Sequence, residues 1–227
     1  MTMLDYLKKS YIKNYENPVG GFTLAGLRIY VKEPMPPSVN LRECLSEIFG
    51  NMPRSLYSNI HTIMIGQFPF LRQRSVDATY QNGIIYITNK HSDNYDFISD
   101  VIHEIAHAFE DSHSQELYSD NEIKVEFLGK RKTLFNILKA HNLASSFEEK
   151  DFLNTDYNLK FDNFLYQKVG YESLAYLTRD IFVSPYAATS LREYYANAFE
   201  NFFVNDIFLV QKYAPSVYKK LLKYLEI

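Results

Sequence analysis

Asp93-Asn-Tyr-Asp-Phe-Ile-Ser-Asp-Val-Ile-His-Glu-Ile-Ala-His-Ala-Phe109 is the stretch on which the reading of this chain turns. Phe97, Ile98, Val101, Ile102, Ile105 and Phe109 recur at three- and four-residue spacing behind an Asp/Asn cap, which predicts a largely apolar helix. His103-Glu104-Ile105-Ala106-His107 lies inside it as an HExxH segment. An i, i+4 spacing puts both imidazoles on one helix face with Glu104 beside them. On a surface helix such a pair could be incidental. Here Ile102, Ile105, Ala106 and Phe109 surround it, and uncoordinated His and Glu on an apolar helix would be costly. The pair therefore reads as half of a zinc site. Catalytic zinc also needs a third protein ligand and an open fourth position.

Upstream of this helix the pattern is strand-rich. Leu27-Arg-Ile-Tyr-Val31 alternates, Thr62-Ile-Met-Ile65 is apolar and short, and Val76-Asp-Ala-Thr-Tyr80 and Gly83-Ile-Ile-Tyr-Ile-Thr88 flank a Gln81-Asn82-Gly83 hairpin turn. Pro34 to Pro37 reads as a turn, followed by a helix over Leu41–Phe49 with Asn40 as N-cap. Downstream, helical periodicity marks Asn121–His141, Tyr157–Gln167, Glu172–Phe182, Leu191–Phe203 and Pro215–Leu225. A small N-terminal sheet (residues 1–92) followed by a helical part (residues 93–227) predicts an α+β fold, expected as one domain over residues 1–227.

Composition narrows the partners. The chain has 227 residues, 46% hydrophobic and 22% charged, with a formal net charge of −3 and a pI near 6.1. That gives no overall basic surface for nucleic acid. Cys44 is the only cysteine. Any metal must therefore be held by His and carboxylates, and a reducing compartment fits. The opening Met1–Lys9 mixes charges among apolar residues and has no apolar core of a secretory leader, and no later run reaches membrane-spanning length. The expectation is a cytoplasmic protein with no membrane partner, with virion association or leaderless export as alternative routes. Nineteen Tyr and 17 Phe without Trp imply an aromatic core.

For the third ligand, His113 stands six residues after His107, where metzincins place their third histidine. In this chain Glu110 replaces the glycine of that motif, and all the methionines lie upstream of the helix, so no Met-turn can follow. The rival is Glu193 in Leu191-Arg-Glu-Tyr-Tyr-Ala-Asn-Ala-Phe-Glu-Asn-Phe-Phe203, with Glu200 seven residues further on. His61, His91 and His141, near strand or helix ends, read as surface or core histidines, and Lys130-Arg-Lys132 as a solvated helix face.

Glu193-Tyr-Tyr-Ala-Asn-Ala-Phe199 resembles the EFFAEAF segment of the lethal factor-like gluzincins, a group that includes the Pro-Pro endopeptidases. Tyr186 stands seven residues before Glu193, where that group has a tyrosine pointing into the site, and Gln211-Lys-Tyr-Ala-Pro-Ser-Val-Tyr218 resembles its closing segment. The likeness covers the HExxH helix and residues 186–227, and over the first ninety residues it is one of strands and helices only. It implies a zincin-like (gluzincin) fold with a helical insertion at roughly residues 114–180. It implies one zinc ion per chain on His103, His107 and Glu193. Glu104 would be the general base, and Tyr186 would donate to the oxyanion. Asn197 stands where the group commonly has an acidic residue bonded to a zinc imidazole.

The expected activity is zinc-dependent endopeptidase action on a peptide or protein substrate. Glu104 would take the proton of the attacking water, with the substrate extended along Gly83–Thr88 as the edge strand. Absence of Trp and of a secretion signal argues against Pro-Pro specificity. Two alternatives remain: a non-catalytic zinc-binding interaction protein, and a toxin- or virus-borne effector peptidase with one narrow substrate.

Overall fold

The computed structural model describes residues 19–144 and 147–225, so the Met1–Lys9 stretch lies outside the described residues. The chain falls into two compact units, the first ending at Ser112 and the second beginning at His113. The fold is mixed α+β, with a small five-stranded sheet and a helical remainder.

In the first unit β1 (Gly20–Leu24), β2 (Leu27–Val31), β3 (Thr62–Ile65), β4 (Ala78–Gln81) and β5 (Ile84–Ile87) form one sheet in the order β1-β2-β3-β5-β4. The β2, β3 and β5 strands run parallel, while β1 and β4 are antiparallel edges. Leu27, Ile29, Ile63, Ile65, Ile85 and Ile87 are fully buried. The period-2 alternation of β2 thus points its apolar residues into the core and turns Arg28 and Tyr30 outward. Between β2 and β3 runs α1 (Leu41–Asn51), whose N-cap Asn40 accepts a hydrogen bond from the Glu43 amide as the sequence predicts. A short helix α2 (Pro69–Arg74), which periodicity did not suggest, links β3 to β4.

Two-residue closure joins β4 to β5: Gln81 pairs with Ile84, and Asn82 and Gly83 have φ of 48° and 81°. That is the all-positive geometry Asn-Gly supplies. Gly83–Thr88 is not the edge strand expected from the sequence. β5 is interior because β3 claims its other side in a parallel pairing, and β4 is the edge.

Helix α3 (Asn94–Tyr118) carries the HExxH segment and is interrupted at His113, where φ/ψ of −122°/17° leave the helical region. Its first turn is held by Asp93, whose side chain accepts from the Asp96 amide.

The second unit is helical: α4 (Glu122–Ala140), α5 (Glu149–Phe152), α6 (Leu159–Asn163), α7 (Tyr171–Leu177), α8 (Leu191–Val204), α9 (Ile207–Tyr213) and α10 (Pro215–Leu225). The predicted single helix over Tyr157–Gln167 divides into α6 and a π-helical stretch Phe164–Gly170. Phe161, Phe164 and Leu165 are all buried there, with Phe161 and Phe164 in an aromatic cluster with Phe147 and Phe152. Gly170, at φ 82°, separates this stretch from α7. On α4 the buried stripe is Ile123, Phe127, Arg131, Leu134 and Leu138. This overturns the solvated-face reading of Lys130–Lys132: the four-residue spacing puts Arg131 on the apolar stripe, and only Lys132 of the three is well exposed. Among the described residues no helix is long and apolar enough to cross a membrane.

Candidate metal centre

Geometry in the first unit follows from helix periodicity on α3. Ile105, Ala106 and Ala108 are completely buried, and the same burial takes in Glu104, His107 and Glu110, while His103 is half-buried. The His103 and His107 rings lie with centroids 4.9 Å apart at 82°, side by side one turn apart.

Glu104 is held by the sheet. The Tyr80 amide on β4 donates to Glu104 Oε2 at 2.5 Å. Thr88 N–H bonds to Asp77 O, so hydrogen-bonded pairs of the hairpin fall at alternate residues and the main-chain groups of Ala78 and Tyr80 face away from β5. The general-base candidate is thereby tied to the outer edge of β4. Asn59 steadies the helix from another side, its amide donating to Ala108 O at 2.5 Å with its nitrogen also 3.3 Å from the Tyr80 hydroxyl.

Glu110, which stands where a metzincin would have its glycine, lies close to His107. Glu110 Oε2 is 3.6 Å from His107 Nδ1, both groups buried. At that separation the two are within ion-pair reach but not hydrogen-bonded. The signal was present as an i, i+3 spacing from His107.

In the second unit Tyr186 opens a one-turn 3-10 helix, Tyr186–Ala188, just before α8. Ser190 caps α8, its hydroxyl accepting from the Glu193 amide at 3.1 Å, so Glu193 sits in the first helical turn. The Tyr186 carbonyl accepts from Thr189 Oγ1 at 2.8 Å. Burial first, and then the Glu193 carboxylate, push the Tyr186 phenol far above its usual range, so it remains a protonated donor. The Tyr171 phenol is raised for similar reasons, burial leading and the nearby Asp162 next; the Asp162 carboxylate accepts from Tyr157 at 2.8 Å and Tyr171 at 3.3 Å.

The Asn197 side-chain oxygen accepts from Ser184 Oγ at 2.5 Å, and its amide donates to the Glu193 carbonyl at 2.9 Å. Asn197 thus ties the loop before Tyr186 to the turn carrying Glu193. Ser184, which also accepts from the Ala187 amide, carried no sequence signal.

His103, His107 and Glu193 form a group that could hold a metal ion, with one ligand atom from each within 4.8 Å of the others. No family model, curated protein or solved structure matches the chain.

Other histidines stand elsewhere. His113 stacks edgewise on Tyr224 with ring centroids 5.7 Å apart, and His91 is buried with Nε2 3.0 Å from Asp100 Oδ2. His61 is exposed beside β3, and His141 is exposed at the end of α4. Glu200 lies two turns beyond Glu193 on α8 and is not part of the three-residue group.

Proposed function

We propose that this chain is a zinc-dependent endopeptidase of zincin-like, gluzincin type, with zinc on His103, His107 and Glu193. The observation that carries this reading is the convergence of those three side chains, two imidazoles from an HExxH segment and one remote carboxylate. That donor set fits catalytic zinc, which takes three protein ligands of this kind and leaves a position open. Bound there, zinc would supply a Lewis acid that polarises a peptide carbonyl and acidifies water.

The chain's own residues then divide the work. Glu104, within reach of the β4 edge, takes a proton from the attacking water and returns it to the leaving amine. Tyr186, kept protonated, donates to the carbonyl oxygen as its charge develops. A substrate strand pairs with the outward main-chain groups of β4, chiefly those of Ala78 and the Tyr80 carbonyl, and this replaces the expected docking along Gly83–Thr88.

The test measures metal content and hydrolysis of a peptide library on one set of variants. The wild type should bind one zinc per chain, lost on His103→Ala, His107→Ala or Glu193→Ala and kept on His113→Ala. Glu104→Gln should keep the metal while hydrolysis falls by about 10² to 10⁴. Metal loss in His113→Ala but not Glu193→Ala, or full turnover by Glu104→Gln, overturns the reading. Zinc binding with no hydrolysis by the wild type supports the non-catalytic alternative instead.

A further inference from the structure

Arg131 is 1% exposed, and among the described residues no carboxylate pairs with it. Its guanidinium bonds only to main-chain oxygens: Nη1 to Ala188 O at 2.7 Å and Thr189 O at 3.2 Å, and Nη2 to Asp151 O at 3.1 Å. The Phe161 ring covers it at 4.0 Å, with Phe127 and Phe152 at 5.4 and 5.6 Å. Burial lowers its pKa to about 9, so it is a buried cation at neutral pH. A charge in such surroundings costs stability, and an apolar residue of similar volume is often tolerated as well or better. Packing alone therefore does not account for an arginine here.

What the guanidinium grips does account for it. Ala188 and Thr189 end the turn that starts at Tyr186 and directly precede Ser190, the cap of the helix bearing Glu193. Asp151 lies on α5 and Phe161 on α6, both in the segment between His113 and Asp180. A second main-chain link runs in parallel, the Leu191 amide donating to Thr155 O at 2.9 Å. Only a planar fork can serve three carbonyls at once while stacking on an aromatic face.

We propose that Arg131 is the positioning residue for the Tyr186–Glu193 segment, and that the helical segment between His113 and Asp180 braces this part of the site through it. The consequence for metal affinity rests on the zinc reading above, but the bracing itself does not.

Hydrogen exchange and zinc affinity by chelator competition, measured on wild type, Arg131→Met and Arg131→Lys, test this. The amides of Ala188, Thr189, Leu191, Glu193 and Tyr194 should exchange about tenfold faster or more in both variants, while those of α10 keep their wild-type rates. Zinc affinity should fall about 10- to 100-fold. Arg131→Lys keeps the cation and much of the volume without the fork, and carries the test alone if Arg131→Met does not fold. Unchanged exchange over residues 188–194 overturns the proposal. So does uniform acceleration across residues 122–225 with unaltered affinity of the folded protein, which is the mark of a purely structural residue. If the wild type binds no zinc, the metal reading fails, and the exchange comparison still decides the bracing.

Discussion

Tyr186 is the side chain at which catalysis and packing part most cleanly, because phenylalanine in its place keeps the ring and removes only the hydroxyl. Burial and the Glu193 carboxylate hold that hydroxyl protonated. If it donates to a developing oxyanion, Tyr186→Phe should lower kcat and kcat/KM together by about 10², with zinc content and melting temperature unchanged. Steady-state kinetics and thermal melting on one preparation check this. A stability loss of about 1 kcal/mol with an unaltered rate would mark the hydroxyl as structural only. At this scale the HExxH residues were legible because the i, i+4 spacing writes a shared helix face directly into the sequence. Glu110 stands i, i+3 from His107 on that helix, a spacing visible in the sequence, and the structure shows the two side chains 3.6 Å apart. Asn197 and Ser184 show the reverse: Asn197 was singled out by resemblance, yet its partner lies in a loop with no periodicity to announce it.

Among the elements, the β4–β5 hairpin connects turn chemistry to the site. Gly83 has φ of 81°, and a Cβ there would come within 2.7 Å of the His61 ring and 3.1 Å of the Asn59 carbonyl. Asn59 is the residue whose amide bonds Ala108 on the HExxH helix, and Tyr80, three residues before Gly83, bonds Glu104. Gly83→Ala should lower stability by about 1–2 kcal/mol, since a non-glycine residue is strained in this region of φ. Asn82→Gly should change stability by less, because glycine adopts the positive φ of that position freely. Chemical denaturation of the two variants checks the difference, and an equal loss in both would show that the turn does not require its glycine. Strand β2 and helix α10 have the ends that hydrophobic periodicity predicts, since each has one clearly buried side, and β3 matches its prediction as a short apolar run buried on both faces. Most of the π-helical stretch lies inside the helix predicted over Tyr157–Gln167, where apolar spacing does not reveal the change of helix type, and the seven-residue α9 is not marked by the periodicity.

For the whole molecule, the expected observable is linkage. A metal that binds the folded chain alone raises its stability by about 2.7 kcal/mol at a hundredfold excess over Kd, a melting shift of about 5–10 °C for a chain of this size. Removing metal with a chelator should lower the melting temperature by that amount, and zinc should restore it in wild type and His113→Ala but not in His107→Ala. Scanning calorimetry at fixed protein concentration reads this directly. The effect should weaken as pH falls through the range where imidazoles protonate, because protons compete with the metal for the same nitrogens. A melting temperature indifferent to both chelator and zinc would argue against any resident metal.

Short-range patterns alone give the α+β order of elements, the strand alternation, the Asn-Gly turn, and the two imidazoles with Glu104 on one apolar helix. Neighbours within a turn or a pleat are set by backbone geometry, so no tertiary knowledge is needed to place them together. No local pattern names the remote member: Glu193 came from a resemblance, and with His103 and His107 it makes a group that could hold a metal ion, to which His113 and Glu200 do not belong. The tertiary structure made β4 the edge instead of β5, because a parallel pairing with β3 occupies the side that the hairpin leaves open. And it buried Arg131 inside a run that reads as solvated, since one residue in such a run can lie on the apolar stripe of its helix while its neighbours do not. Contacts between residues distant in sequence depend on how elements pack, and no local pattern encodes that.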